Sequence, residues 1–297
     1  MEKSFSSLNV ITAMVTAFDS DEKVNYEKTV NLAKHLIKNG SDAIIAAGTT
    51  GESPTLTHEE ELNLLKELKQ SVGDKTMVIM GAGSNSTKTA VEMSQKMQEN
   101  GADAVLSVVP YYNKPSQNGM YEHFSIIAKS VDIPIILYNI PGRTGVNMQP
   151  QTVAKLASEF KNIKALKQSS PDMDYLSEVK QLVDKDFTLF CGDDSLILPM
   201  MSLGATGVIS VASHLVGNKL QQMIKDFKNG NIDEALKIHL SLFPLFKKLF
   251  MAPNPVPVKE ALSKMNLIEN VLRRPLTKMN EAQLKEFYSV VEKYIVL

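Results

Sequence analysis

Two residues at the ends of neighbouring apolar runs carry the strongest chemical signal in the chain. The run Ile163-Lys164-Ala165-Leu166-Lys167-Gln168 has the make-up of a β-strand, and strand alternation puts Ile163, Ala165 and Lys167 on one face. The run Ile135–Asn139 sets Ile136 and Tyr138 together in the same way. If both faces line one interior, an amine and a phenol meet at adjacent strand ends. Burying an ammonium is costly, so desolvation favours the neutral amine. Neutral amine attacks a ketone to give an imine, which withdraws electrons from the neighbouring carbon. A nearby phenol can carry the protons that such steps release and consume. Pattern alone also allows plainer roles: Lys167 as a surface lysine at a strand end, Tyr138 as a packed core tyrosine.

Three loops offer partners for that chemistry. Gly48-Thr49-Thr50-Gly51-Glu52-Ser53 holds two glycines and three hydroxyls in six residues. Such a loop can bring backbone N–H groups and hydroxyls against a carboxylate, although a simple tight turn has the same composition. Pro141-Gly142-Arg143-Thr144-Gly145 sets an arginine between glycines, and a guanidinium pairs a carboxylate through two parallel hydrogen bonds. Pro110-Tyr111-Tyr112-Asn113 places paired aromatics in a loop, usual for stacking or interface packing. No metal is expected: His35, His58, His123, His214 and His239 are scattered, and none forms an HExxH-type pair. Asp193-Asp194 reads as a helix N-cap before it reads as a ligand pair. Cys191 beside them lacks a plausible histidine base, so no thiol nucleophile is expected.

The elements that must position these groups alternate along the chain. Short apolar, β-rich runs fall at Val10–Ala17, Ala43–Ala47, Thr76–Gly81, Ala104–Val109, Ile135–Asn139, Ile163–Gln168, Thr188–Cys191 and Gly207–Val211. Between them apolar residues recur at helical spacing, as in Val30, Ala33, Leu36 and Ile37. Eight strands separated by helices, with the last helix at about Leu215–Phe227, predict a (β/α)8 TIM barrel. The phrases "NGSDAII", "NGADAVL" and "LGATGVI" mark helix end, tight turn and next strand, with glycine as the left-handed cap. A doubly wound open sheet is the rival, but it expects a glycine fingerprint after the first strand. "GAGSNS" (Gly81–Ser86) follows the third strand and ends in serine, which fits a βα loop. The barrel is expected over 1–230. The segment 231–297 continues helical, broken at "APNPVP" (Ala252–Pro257), and is expected to pack on the barrel as part of one structural unit.

Composition narrows the partners. The 297 residues are 43% hydrophobic and 22% charged, with 32 basic and 33 acidic side chains and a net charge of -1. That balance lacks the clustered basic excess a nucleic-acid footprint needs. No run approaches the roughly 18 apolar residues of a membrane span. The start, Met1 to Asn9, is polar and has no apolar signal core, and one cysteine gives no intrachain disulfide framework. A cytoplasmic protein acting on small molecules is expected.

Several stretches then resemble one family in order and spacing. "GTTGESPTL" (Gly48–Leu56), "PYYNKPSQ" (Pro110–Gln117), "YNIPGRTG" (Tyr138–Gly145), "ALKQSS" around Lys167 and "GVISVASH" (Gly207–His214) closely resemble the 4-hydroxy-tetrahydrodipicolinate synthases, also called dihydrodipicolinate synthases, of the pyruvate-aldolase barrel superfamily. "NPVPVK" (Asn254–Lys259) and "LRRPL" (Leu272–Leu276) extend the match through the C-terminal helices.

The resemblance implies a division of labour. Lys167 is similar to the lysine that forms a Schiff base with pyruvate. Tyr138 resembles the proton donor and acceptor, with Thr49 and Tyr112 completing a hydroxyl relay, Tyr112 coming from a neighbouring subunit. Thr50, with main-chain help near Ile209 and Gly192, would hold the pyruvate carboxylate. Arg143 would pair with the carboxylate of L-aspartate 4-semialdehyde. The implied reaction condenses the two substrates into a heterocycle, the first committed step toward diaminopimelate and lysine, with no metal or organic cofactor. A homotetramer built as a dimer of dimers is implied. An allosteric site for lysine would use Ser53, His58, Glu61, Asn85 and Tyr111. One departure bears on specificity: Gln168 follows Lys167 where the family usually has an acidic residue. "ALKQ" is similar to N-acetylneuraminate lyase of the same superfamily, so a sugar-acid aldolase is the alternative. Arg143 and "PYYNKPSQ" speak for the synthase.

Overall fold

The computed structural model describes residues 4–73 and 75–295; Met1–Lys3, the start of the polar N-terminal segment, lie outside the described residues. Eight parallel strands close in sequence order: β1 (Val10–Ala13), β2 (Ala43–Ala46), β3 (Met77–Gly81), β4 (Ala104–Val108), β5 (Ile135–Asn139), β6 (Ile163–Gln168), β7 (Thr188–Cys191) and β8 (Gly207–Ser210). β8 pairs with β1, so there is no open edge and no doubly wound sheet. All eight expected runs form strands. The first is shorter than its apolar run because the groups after Ala13 find other partners. Ala17 N–H donates to Thr29 Oγ1, and Thr16 Oγ1 donates to the Gly51 carbonyl.

The helices are α1 (Tyr26–Lys38), α2 (His58–Val72), α3 (Thr87–Glu99), α4 (Gln117–Ser130), the single turn α5 (Pro141–Thr144), α6 (Pro150–Glu159), α7 (Met173–Leu182), α8 (Ile197–Ser202) and α9 (Ser213–Lys228). Caps fix their starts: the Ser86 side chain accepts from Thr89 N–H, and Thr57 and Glu60 form a reciprocal capping box. Gly81 therefore ends β3 and Ser86 caps α3, which makes "GAGSNS" the expected βα loop. The repeated glycine phrases turn as read, with Gly40, Gly101 and Gly204 at φ of 101°, 85° and 95°. Three more helices, α10 (Ile232–Lys248), α11 (Val256–Lys264) and α12 (Glu281–Val291), follow the barrel. α10 packs along α9, and α12 against α10.

Alternation sorts the strand residues into two cores. Ile11, Ala13, Ala43, Ile45, Ile79, Leu106, Ile136, Ala165, Phe190 and Ile209 fill the barrel interior. Val10, Ile44, Val78, Val105, Leu137, Leu166, Leu189 and Val208 face the helices. One expectation fails here. Ile163 sits in the outer core and not beside Ala165 and Lys167. The pairing of β5 with β6 steps from Ile135↔Ile163 to Ile136↔Ala165, leaving Lys164 as an extra, unpaired residue. This bulge breaks the alternation once, near the start of the strand. Beyond it the register is regular, with Lys167 between Tyr138 and Phe190, both interior residues. Among the described residues no helix is long and apolar enough to cross a membrane.

Candidate active site

Lys167 and Tyr138 are cross-strand neighbours at the carboxyl ends of β6 and β5. Their side chains point into the same mouth, where Lys167 Nζ stands 4.1 Å from the centre of the Tyr138 ring. Lys167 is 6% exposed, and the ion pairs formed among the described residues do not include it. A buried amine held against an electron-rich ring with no carboxylate partner is placed to react with a carbonyl. The stem of the lysine needs the glycine that follows β7. A Cβ on Gly192 would lie 3.0 Å from Lys167 Cε and 2.0 Å from Ser169 Oγ. Gly192 N–H is used by the Gln168 carbonyl at 2.8 Å, so this residue acts here by leaving space. Ile209 lies in the interior core on β8.

The β2 loop brings hydroxyls to the same mouth. Thr49 lines the cavity together with Tyr138, Ile140, Arg143 and Thr144. Thr50 is buried, and its Oγ1 accepts a hydrogen bond from Asn254 Nδ2 at 2.9 Å. The hydroxyl proton of Thr50 is therefore left to donate to something else. Arg143 lies on the short turn α5, exposed, with Gly145 closing the turn at φ 74°. Tyr112 is not gathered into the mouth of its own barrel. It is 89% exposed and holds a left-handed backbone, φ 72°, which is rare for a bulky side chain.

The cavity, of about 430 Å³, runs from Tyr138 and Thr49 outward to Ser53, His58, Glu61 and Tyr111. Four of the five positions expected to form a regulatory site thus share one wall. The fifth, Asn85, is tied in by its Nδ2, which donates to the Tyr111 carbonyl at 3.2 Å. Glu61 is buried, and desolvation, with the nearby Glu60 adding to it, pushes its carboxyl up to about 8. Glu60 itself is held low by the Arg273 guanidinium.

Other candidate groups divide between sequence expectation and surprise. Asp193 is the expected N-cap, accepting from Ser195 N–H at 2.9 Å. Asp194 does something else. Fully inside, it accepts from Ser210 Oγ and from the Val211 and Ala212 N–H groups, tying the end of β8 to the loop after β7. Burial raises its carboxyl to about 6, against the pull of those three donors. Cys191 is buried, its Sγ directed at the Asp193 carbonyl, and burial pushes its thiol up, away from nucleophile chemistry. His214 takes a structural place, accepting from Val15 N–H at Nε2; burial lowers it to about 4. Gln168 alternates away from the mouth. It is fully buried, and its Oε1 accepts from Asn139 Nδ2 at 3.0 Å. The departure after Lys167 therefore sits behind the strand, where it bridges the two strands that carry Tyr138 and Lys167.

Sequence reading missed a cluster that ties the β2 loop to the far end of the chain: Glu52 and Thr50 on the loop, with Asn254, Lys259 and Arg273. Lys259 Nζ donates to Glu52 Oε1 at 2.6 Å, and both side chains are sealed from solvent. A lysine set within the otherwise apolar Val256, Val258, Ala261 and Leu262 was the available signal.

This geometry has close parallels. The sequence profile of the Dihydrodipicolinate synthetase family matches residues 6–294. The 4-hydroxy-tetrahydrodipicolinate synthase of Heliobacterium modesticaldum is 49% identical over 285 residues, covering 96% of this chain and 95% of that one. The dihydrodipicolinate synthase of Bacillus anthracis superposes with a TM-score of 0.93 at 44% identity, covering 96% of this chain and 97% of that one. The enzyme of Cyanidioschyzon merolae, solved with lysine bound, superposes with a TM-score of 0.96 at 45% identity, covering 99% of this chain and all (100%) of that one. With the barrel and nearly the whole length in common, the chain belongs to the dihydrodipicolinate synthetase family.

Proposed function

We propose that the chain condenses pyruvate with L-aspartate 4-semialdehyde to 4-hydroxy-tetrahydrodipicolinate through a Schiff base on Lys167. It is a carbon–carbon lyase of lysine and diaminopimelate biosynthesis. The observation that carries the mechanism is the unpaired, buried amine of Lys167 standing 4.1 Å over the Tyr138 ring inside the barrel mouth.

The Lys167 amine adds to the C2 carbonyl of pyruvate, and loss of water gives the imine. Loss of a C3 proton gives the enamine, whose carbon attacks the aldehyde of the second substrate. The amino group of that substrate then displaces lysine from the former C2, closing the ring and freeing the enzyme. Tyr138 relays the protons, linked through Thr49 to Tyr112 of a second copy of the chain. The Thr50 hydroxyl, with main-chain groups near Ile209 and the space left at Gly192, holds the pyruvate carboxylate. Arg143 on its exposed turn pairs with the carboxylate of the second substrate.

Two exposed surfaces support assembly into a dimer of dimers. One carries Tyr112 and Tyr111; the other is the row Ile232, Leu236, Leu240 and Phe243 along α10. The cavity wall of Ser53, His58, Glu61, Asn85 and Tyr111 supports a site for L-lysine, whose ammonium would meet Glu61. A cytoplasmic setting suits the single, buried, unpaired Cys191.

Treating the protein with pyruvate and borohydride, then weighing it, tests the covalent step. One reduced pyruvate adduct is expected, lost in Lys167→Ala. No adduct, or one that survives that substitution, rejects the mechanism. Assay with aspartate semialdehyde against N-acetylneuraminate and other 2-keto-3-deoxy acids tests the second substrate.

A further inference from the structure

The C-terminal motifs "NPVPVK" and "LRRPL" have no part in the chemistry above, yet their polar side chains end on the loop that carries Thr49 and Thr50. Asn254 Nδ2 donates to Thr50 Oγ1 at 2.9 Å. Lys259 Nζ donates to Glu52 Oε1 at 2.6 Å, and Arg273 N–H donates to Glu52 Oε2 at 3.0 Å. The Arg273 guanidinium reaches the Thr55 carbonyl at 2.7 Å and clasps both oxygens of Glu60. Asn254, Thr50, Glu52 and Lys259 are all buried.

Three features set this clamp apart from ordinary stabilising contacts. A fully desolvated ion pair is a poor source of net stability, since apolar side chains of similar volume often do as well. What such a pair does well is hold one geometry. The geometry it holds is a strained one: Glu52 adopts a left-handed backbone, φ 59°, two residues after Thr50. Finally, the hydrogen bond from Asn254 has a direction. Because the amide donates into Thr50 Oγ1, the hydroxyl proton is left free to turn outward, toward an acceptor that arrives with the ligand.

We propose that Asn254, Lys259 and Glu52 are positioning residues for the reaction: the Lys259–Glu52 pair holds the β2 loop in its strained form, and Asn254 fixes the Thr50 hydroxyl as a donor to the substrate carboxylate. The segment 231–295 is thereby part of the active site's framework and one structural unit with the barrel. This rests on the assignment of Thr50 to pyruvate made above.

The test follows borohydride trapping as a function of pyruvate concentration, which needs no second substrate, alongside steady-state kinetics. Asn254→Leu removes the donor, and its half-saturating pyruvate concentration should rise about tenfold, the scale of one lost hydrogen bond to a charged group. Asn254→Asp, which invites the Thr50 proton back toward itself, should raise it further. In both, kcat and the KM for aspartate semialdehyde should stay within about twofold, which a general loosening of the fold would not allow. The double variant Glu52→Gln/Lys259→Met, which leaves no lone buried charge, should also need about tenfold more pyruvate. It keeps the question open to refutation if an Asn254 variant fails to fold. Folded variants with unchanged half-saturation, or with both KM values and kcat moving together, overturn the proposal. Failure of the wild-type protein to be trapped at all strikes instead at the Schiff-base reading.

Discussion

Two lysines are buried at this end of the barrel, and their surroundings could hardly differ more. Lys259 is wholly enclosed, paired to Glu52 at 2.6 Å and laid 4.2 Å over the Phe18 ring. Lys167 is nearly as enclosed and lies over the Tyr138 ring at 4.1 Å, but no carboxylate among the described residues forms an ion pair with it. An aromatic face is common to both, so the ring does not decide the outcome. The carboxylate does. Tied to Glu52, Lys259 serves as a strut, whereas the Lys167 amine is held at the mouth without such a tie and is left to meet what enters.

Removing each amine breaks the comparison in opposite ways. Lys167→Met should abolish turnover, by roughly 10⁴-fold or more if the covalent route is closed, with little change in the denaturation midpoint. Turnover assays and urea unfolding on one preparation check both halves. Lys259→Met leaves the Glu52 charge buried alone and should cost about 3–5 kcal/mol of stability, most of it regained in Glu52→Gln/Lys259→Met. If the single and double variants unfold alike, the pair is not the strut described. Tyr138→Phe keeps the ring under Lys167 and removes only the phenolic oxygen. A fall in kcat of about 10²-fold is expected, with the borohydride adduct still formed, more slowly.

Glu61 sharpens the contrast from the acidic side, because it too is buried and forms no ion pair among the described residues. Its carboxyl, ordinarily near 4.5, is pushed up to about 8 by burial. Below that pH the folded protein holds the proton, so a cationic ligand docking beside it must expel that proton. Affinity for L-lysine should then rise with pH, by up to about tenfold per unit, and level off above about pH 8. Titration calorimetry between pH 6 and pH 8 measures this, and Glu61→Gln should flatten the slope. No binding of L-lysine at millimolar concentration would end the reading of that wall as a regulatory site.

How much of this was legible before folding depends on how far apart the cooperating residues lie in the chain. The strands were, because a buried parallel barrel leaves eight short apolar runs at regular intervals. Lys167 and Tyr138 were also legible, since each is a polar residue closing such a run. The bulge at Lys164 was not: it arises from pairing with Ile135 and Ile136 on the neighbouring strand, and no local pattern marks it. The clamp was hidden for the same reason at longer range. Lys259 and Glu52 are 207 residues apart, and Asn254 and Thr50 are 204 apart, so only the closed fold reveals them as partners. Tyr112 was readable as a loop aromatic suited to stacking or interface packing, and the fold leaves it exposed on a left-handed backbone.

The inner wall of the barrel is packed solid beneath Lys167, with Ala165, Phe190, Ile136 and Ile209 almost sealed from solvent. The site is therefore closed from below by the barrel's own side chains. Whatever reaches the amine first sits at the dead end, and the water it sheds must leave past the seat of the next arrival. Under the chemistry proposed for Lys167, such a layout sets an order of traffic: the ketone acid would enter first, the aldehyde second, and the ring would depart by the route both came in.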